Sequence, residues 1–591
     1  MKKFLVILLT CAVTASIVAG GGAQQAPTGA VGQRVTIQVT PTSLPVRPQF
    51  DLGESRWHPQ PARSYSTNPL FPQQPAVSNT NGFPIVQEPV TLKLITSFSS
   101  SILDYYDNDL TRHMEALTNV RIEWDILPEG GGTERLNLMF ASGDNLPDVI
   151  YGVGIDSVTQ ISLGSAGLLI PLQDLIIEHG YNIQALMDYD PDYFASMLSA
   201  DGNIYALSDR AENLANQVNV RFWINQHFLD TLGLQMPRTT EEYYRYLIAV
   251  RDRNPNGSGR FDEIPLVGDT TSWSGRIDGF LMNAFIFNDT SRRMFFTENG
   301  RVDVSYNKPE WRQGLEYLHR LQAEGLMAPE SFTLVANELR ALVEHPDYAI
   351  VGSLPSGGYN AFADVSGPRR TEYRVVPPLT GPNGVQQAVW SRFANTRIGR
   401  FAISHTNPYP EVSIKWADYG LTPDFWTRNR YGVLGRDWLI PPPGTPAVAG
   451  GNAMYEEILR WGSQTNAYWG AGFQWTQFAS YNRALSPDPF ELEFVLWNAR
   501  EIYYPFRFER IMPTALPFTV DEAREFNGLL ESINSHVNQS LARFVMGWDV
   551  LNDSNWNAYV QTLDRMGLPQ LLRITQAAFD RSWAESLGFR R

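Results

Sequence analysis

The chain has 591 residues, of which 43% are hydrophobic, too long for one ordinary core, so two or more domains are expected. Its formal net charge of −15 argues against a nucleic-acid surface, because phosphate binding rests on Lys and Arg. Aromatics reach 12%, with 16 Trp, and many of those rings must lie at or near the surface.

The N-terminus, MKKFLVILLTCAVTASIVAGGGAQQ, places Lys2 and Lys3 before an apolar stretch and then small residues, the pattern of a secretory signal peptide. Cleavage after Ala23 or after Gly20 suits the small-residue rule. Removing residues 1–23 takes away two lysines and no acid, leaving −17. Nothing later is long and apolar enough to span a bilayer. Cys11 is the only cysteine. As a lipid-attachment site it would follow Thr10, a poor residue there, and the apolar run continues past it, so a cleaved signal residue is the better reading. The mature body is exported, periplasmic or at the cell surface, and has no disulfide; its core, helped by metal, must stabilise it.

Residues 24–88 are rich in Pro, Gln, Ser and Thr and hold no sustained period, which predicts an extended tether. Order begins at VTLKLITSF, where Val90, Leu92 and Leu94 alternate as in a strand. A helix (LDYYDNDLTRHMEALTN), a strand (VRIEWDIL), a helix (RLNLMFASG) and a short buried strand (DVIYG) follow. That alternation is an α/β pattern with parallel strands, whose ligands bind beyond the strands' carboxyl ends. The ligand edge would then hold Ser99 and Ser100 in SFSSS and Tyr151 in YGVG.

Between Arg251 and Leu266, RDRNPNGSGRFDEIPL sets oxygen side chains at alternate positions around two glycines. The pattern D-x-[DN]-x-[DN]-G-x₅-E fits Asp252 through Glu263 with Gly257 at the turn. A hard cation wants six to eight such oxygens. IPLVG follows at once, so no second helix is expected, and a turn held by Asn and Ser side chains is the competing reading. Further on, Leu530, Ile533, Val537, Leu541 and Phe544 recur at three and four, as do Trp556, Val560 and Leu563; these stripes predict packed helices.

Several long segments resemble extracellular solute-binding proteins, the sugar receptors of ATP-driven (ABC) importers, and especially their long oligosaccharide- and alginate-binding subfamily. They are ASGDNLPDVIYG, WINQHFLDTLGLQMPRTTEEYYRYL, LQAEGLMAPESFT and RFVMGWDVLNDSNWNAYVQTLDRMGLPQLLRITQAAFDR. The resemblance implies a two-lobed α/β periplasmic-binding-protein-like fold, each lobe a sheet flanked by helices, with an all-helical C-terminal extension. It places 89–215 plus about 346–398 in the first lobe and 216–345 plus about 399–591 in the second. It implies a monomer without catalysis that closes on its ligand at a hinge and then docks on membrane permease subunits. It also shifts the metal loop by two residues, making Asn254, Asn256, Ser258, the Arg260 carbonyl, Asp262 and Glu263 the ligands of a structural Ca²⁺. Asn254 and Ser258 depart from that pattern and weaken the site, and Asp252 could compensate.

Sugars are met by flat rings and bidentate polar groups. The candidates are Trp273 and Arg276, Tyr359, Trp390 and Arg392, and Trp469 and Trp475 in the densest aromatic stretch; Trp223 and Trp416 are assigned to the core. A neutral oligosaccharide is the default ligand. A secreted glycoside hydrolase would need two facing carboxylates, and no catalytic motif accompanies the many acids. A surface adhesin on the tether would bind polymer without closing.

Overall fold

The computed structural model describes residues 82–586 except 100–101, 129–131, 144, 212–216, 291–293, 392–394, 460–463, 465, 470–471, 477–482, 510–511 and 514. The signal peptide, Cys11 and the tether up to residue 81 lie outside the described residues, as do Ser100 and Arg392. The described chain is already packed a few residues before the expected boundary. Ile85 and Val86 are buried, the Ile85 amide donates to Thr118 O at 3.0 Å, and the Phe83 ring meets Tyr419 edge-on at 5.3 Å. The apolar side chains of FPIV give this end of the segment something to bury.

The first lobe opens with β1 (Val90–Ser97), α1 (Asp109–Thr118), β2 (Val120–Leu127), α2 (Gly132–Ser142), β3 (Val149–Tyr151) and α3 (Ser157–Ser165), the alternation read from the sequence. Asn108 caps α1 through the Leu110 and Thr111 amides, and Asn119 ends it at a φ of 60°. In β1, Val90, Leu92 and Leu94 are buried, and Ile95 and Thr96 join them where the strand is covered on both faces. β4 (Leu207–Ala211) completes this stretch.

The second lobe is built on β5 (Phe222–Asn225), which is followed by helix α4 (Thr240–Arg253), the hairpin β6 (Phe295–Glu298) and β7 (Arg301–Val304), β8 (Ser353–Pro355) and β9 (Tyr373–Val375). Its three-stranded antiparallel sheet runs β8-β5-β9. The chain then returns as β10 (Thr396–Ile403), passes the small ribbon β11 (Trp438–Leu439) and β12 (Glu456–Glu457), and adds β13 (Trp475–Thr476). The first sheet is β13-β4-β10-β3-β1-β2, parallel except for β10. For these returning segments the pairing is opposite to that expected: β8 and β9, within 346–398, join β5, whereas most of β10 and all of β13, beyond 398, join the first sheet. Period and burial alone do not say which sheet a short strand completes.

The chain ends in helices α5 (Leu492–Tyr503), α6 (Val520–Val545), α7 (Asp553–Arg565) and α8 (Leu568–Ser586). Thr519 and Glu522 form a capping box on α6, and its Leu530, Ile533, Val537, Leu541 and Phe544 are all buried. On α7 the stripe is turned slightly: Trp556, Tyr559 and Leu563 are buried, while Val560 is only partly so. α6 packs against α8 and also against α3, so the helical extension touches the first lobe as well as the second.

Candidate functional site

The crossing segments fix which edges of the two sheets face each other. The chain leaves the first sheet at Ala211, the carboxyl end of β4, and re-enters at Thr396, the start of β10. That edge also holds the carboxyl ends of β1, β3 and β13, hence Ser97, Ser99 and the Tyr151–Gly154 turn. On the second sheet the chain enters at Phe222 and leaves at Val375, again at one edge, beside Pro355–Gly357. The crossings are laced together. Ser391 N–H donates to Gln217 O at 3.0 Å, and Ala388 N–H to Phe506 O at 2.8 Å. Tyr503 pins the second lobe's end, accepting from Phe222 N–H at 3.2 Å and donating to Val376 O at 2.6 Å.

Trp273 stands at this edge of the second lobe. Its turn is held by the Asp269 carboxylate, which accepts from the Thr271 and Ser272 amides at 2.9 and 2.6 Å and from the Ser272 hydroxyl. The Trp273 carbonyl accepts from Gly357 N–H at 2.8 Å. The indole lies against Gly357, where a Cβ would come 2.7 Å from Cε3 and closer still to Cδ2 and Cε2. The Arg221 guanidinium, fully buried, sits 5.8 Å from the ring centroid and donates to Gly357 O. Burial pushes its pKa down to about 10. The ring itself is partly exposed. A flat ring fixed on one side and partly open to solvent is the kind of surface on which a sugar's C–H face can stack. Arg221 was not foreseen; an arginine opening the apolar run RFWIN was its signal.

Arg276, three residues on, is not free for a ligand. It grips Asp278 through two bonds of 3.0 Å and Asn538 Oδ1 through another, and the Asp278 charge raises its pKa. It lines a cavity of about 190 Å³ with Thr270, Ser331 and Phe332. Trp390 lies on a crossing segment, partly buried, edge-on to Tyr504 at 6.3 Å with the Arg507 guanidinium 5.8 Å from its centroid. An open groove of about 420 Å³ adjoins it, lined by Gln386, Gln387, Phe506, Arg507 and Glu509 among others.

The other predicted rings are spent on packing. Tyr151, Trp469, Trp475 and Tyr359 are all at most 2% exposed. Trp469 stacks on Trp416 at 5.8 Å, meets Trp124 and Tyr151 edge-on, and donates its indole N–H to Thr111 Oγ1 at 2.8 Å. Trp475 packs on Tyr189 from within β13. Tyr359 meets Trp223 edge-on and donates to Phe490 O at 2.7 Å. Trp469 and Trp475 are thus interlocked inside the first lobe. Trp223 and Trp416 are buried as expected. Ser99 is partly buried at the first lobe's edge.

The acidic loop closes on itself after α4. Asn254 ends the helix at a φ of 47°, and its Oδ1 accepts from Ser258 Oγ at 3.3 Å and Gly259 N–H at 3.2 Å. Asn256 Oδ1 accepts from Ser258 N–H at 2.8 Å, and Asp262 Oδ1 lies 3.2 Å from Asn256 Nδ2 and 3.4 Å from Ser258 Oγ. Tyr348 donates to Asp262 Oδ2 at 2.8 Å and helps hold that carboxyl below its usual range. Glu263 Oε1 accepts from Asn256 N–H at 3.1 Å, while Oε2 is buried without a partner. Such an orphaned oxygen beside four convergent ones fits a hard cation. Asp252 does not compensate for Asn254: it is paired with Arg251 at 2.7 and 2.9 Å. No group of three acidic, His or Cys side chains able to hold a metal occurs among the described residues, so the donor set would rest on two carboxylates and neutral oxygens.

Residues 100–425, more than half of the chain, match the family of bacterial extracellular solute-binding proteins. The chain belongs to that family. Among this solute-binding protein's relatives, the fructooligosaccharide ABC transporter substrate-binding protein FusA of Streptococcus pneumoniae is 26% identical over 512 residues, 84% of this chain and 91% of FusA. The structure of a FusA EF-hand mutant in complex with fructo-nystose matches with a TM-score of 0.71 at 24% identity, covering 84% of this chain and 100% of that one. An HMO-binding, ABC-transporter-associated solute-binding protein from Bifidobacterium longum infantis gives 0.68 at 18%, covering 84% and 99%. Both matches show the shared two-lobed fold. No helix among the described residues is long and apolar enough to cross a membrane.

Proposed function

We propose that this solute-binding protein is the oligosaccharide receptor of an ATP-driven importer, exported by its signal peptide, and that it traps sugar between its lobes without cleaving it. The observation that carries the reading is Trp273, a partly buried indole fixed against Gly357 at the edge where the second lobe faces the crossing segments. Its lobes are the β1-to-β4 stretch with β10 and β13, and the β5-β8-β9 sheet with the C-terminal helices. The name of FusA, a fructooligosaccharide receptor, supports the ligand class. A ligand that touches both lobes only when they are closed shifts the population to that state, and the permease subunits read closure.

The same reading gives the acidic loop a Ca²⁺ ion held by Asn254, Asn256, Ser258, the Arg260 carbonyl, Asp262 and Glu263. The support is the convergence of the Asn254, Asn256, Ser258 and Asp262 side chains, the orphaned Glu263 Oε2, and the EF-hand named in the FusA mutant. The ion would brace a turn and supply no chemistry.

The test is a titration of the mature protein with a panel of neutral and acidic oligosaccharides, followed by chromatography of the sugar. At a hundred times its dissociation constant a bound sugar stabilises by about 2.7 kcal/mol. Binding that Trp273→Ala weakens, with the sugar recovered intact, is the expected result. Recovery of shortened sugar would replace the receptor by a hydrolase.

A further inference from the structure

β10 carries an irregularity at the ligand edge, where its Gly399 and Arg400 carbonyls accept from the Ile155 and Gly152 amides at 3.1 and 2.7 Å. It pairs Arg397 with Asp209 and Phe401 with Leu207 on β4, so three residues, Ile398–Arg400, stand opposite the single Ser208. Gly399 turns this bulge at a φ of 64°, and a Cβ there would run into the Ile155 backbone. Bulges of this kind re-aim a side chain and cluster beside functional sites. The side chain re-aimed here is Arg400. Its guanidinium lies along the exposed Gly154, with Nη1 3.3 Å from where a Cβ would stand, just beyond the carboxyl end of β3.

Among the described residues three arginines, Arg210, Arg397 and Arg400, stand at this edge, and two are paired with carboxylates. Arg210 pairs with Asp190 at 3.0 Å, and Arg397 holds the buried Asp209 through two bonds, the Nε one at 2.9 Å. The nearby Asp156 caps α3, accepting from Thr159 N–H at 2.7 Å. Arg400 makes no ion pair among the described residues, although the Asp209 carboxylate held by Arg397 acts on it; its one hydrogen bond there is a long one, Nε to Gly472 O at 3.5 Å. The amides of Val153 and Gly154 beside it, in a turn where Gly152 and Gly154 take φ of 74° and 84°, also donate to nothing among the described residues. A partly buried cation next to free backbone N–H groups makes a recess for an anion.

We infer that Arg400 and the Val153–Gly154 turn form a carboxylate-recognising subsite, so that the sugar carried is an acidic oligosaccharide bearing uronate residues. This rests on the oligosaccharide-receptor reading and narrows it. Burial, together with the neighbouring Arg397, already presses the Arg400 pKa down to about 10, and a bound carboxylate relieves that penalty where a neutral hydroxyl does not. The exit of the substrate's charge from water is thereby matched by a charge held ready in the protein.

Calorimetric titration with galacturonate and mannuronate trisaccharides, and with their methyl esters, tests this, because esterification removes the charge while adding only a methyl group. A neutral fructan trisaccharide serves as a third arm. In the wild type one acid should bind at least 10-fold more tightly than its ester, with the preference falling as salt rises. In Arg400→Gln, checked for folding by circular dichroism, the acid-to-ester preference should collapse by about 10- to 100-fold, the worth of a charge-assisted hydrogen-bond pair. If the esters or the fructan bind as tightly as the acids, the inference falls and the receptor reading stands. If no sugar binds, both fall. Should Arg400→Gln fail to fold, the wild-type comparison of acid with ester decides alone.

Discussion

Adding one carbon at Gly357 tests the Trp273 platform without removing the ring. An Ala Cβ there would sit 2.7 Å from Trp273 Cε3 and closer to two more ring atoms. Carbon atoms rest at about 3.5–4.0 Å, so the indole must withdraw by roughly 1 Å or more. The move strains the Gly357 N–H bond to the Trp273 carbonyl and the stacking over Arg221. Overpacking of this kind costs about 1–3 kcal/mol. Read as lost affinity, that is about a 5- to 150-fold weaker complex. The assay is calorimetric titration with the tightest sugar of the panel, beside a thermal melt. Gly528→Ala is the control: its Cβ meets nothing within 4 Å on the exposed side of α6, so it should leave binding unchanged and stabilise by about 0.5–1 kcal/mol. If Gly357→Ala binds sugar within twofold of the wild type, Trp273 is not the platform.

Trp469→Ala should act on stability, losing about 3–5 kcal/mol as a large buried ring is deleted; a variant that melts normally yet binds no sugar would return Trp469 to the ligand site. A calcium chelator should lower the melting temperature of the wild type, and Glu263→Gln should abolish that difference; identical melts with and without chelator would leave the loop a turn held by its own side chains. The Asp424 carboxyl is opposed by burial but held well below its usual range by hydrogen bonds from His113 and Tyr419 and by Arg428. A depressed folded pKa stabilises above the unfolded value and is lost as pH falls through the folded one. Asp424→Asn should therefore be less stable than the wild type at neutral pH, with the gap closing below about pH 4 in an acid titration; a gap that persists in acid would contradict this.

The local elements were legible because their signals are local. Alternation in Val90–Leu94 and the three-four stripe of α6 each report one buried face, and both faces are buried where read. Membership of the returning strands was not legible, because β8, β9 and β10 are distinguished by their partners and not by their own residues. The same limit applies to the proposed site. Trp273 stands in a local pattern, a ring among the small residues of TTSWSG. Trp469 showed that pattern too, yet its ring is enclosed by Trp124, Tyr151 and Trp416, which come from three other places in the chain. Arg400 carried a faint signal: a glycine inside the strand RIGRFAI marks a bulge, but only the pairing shows which side chain the bulge turns outward.

On the proposals above, the two edges would divide the work of recognition. The second lobe would offer a ring, Trp273, and the first a cation, Arg400, beside amides that donate to nothing among the described residues. A sugar resting on the ring alone binds the open and closed forms alike and shifts nothing between them. A sugar that also reaches the cation gains the second contact only in the closed form. A charge-assisted hydrogen bond of about 1.5–3 kcal/mol shifts a closing equilibrium by about 10- to 150-fold. On this division the ring provides residence and the cation provides the signal.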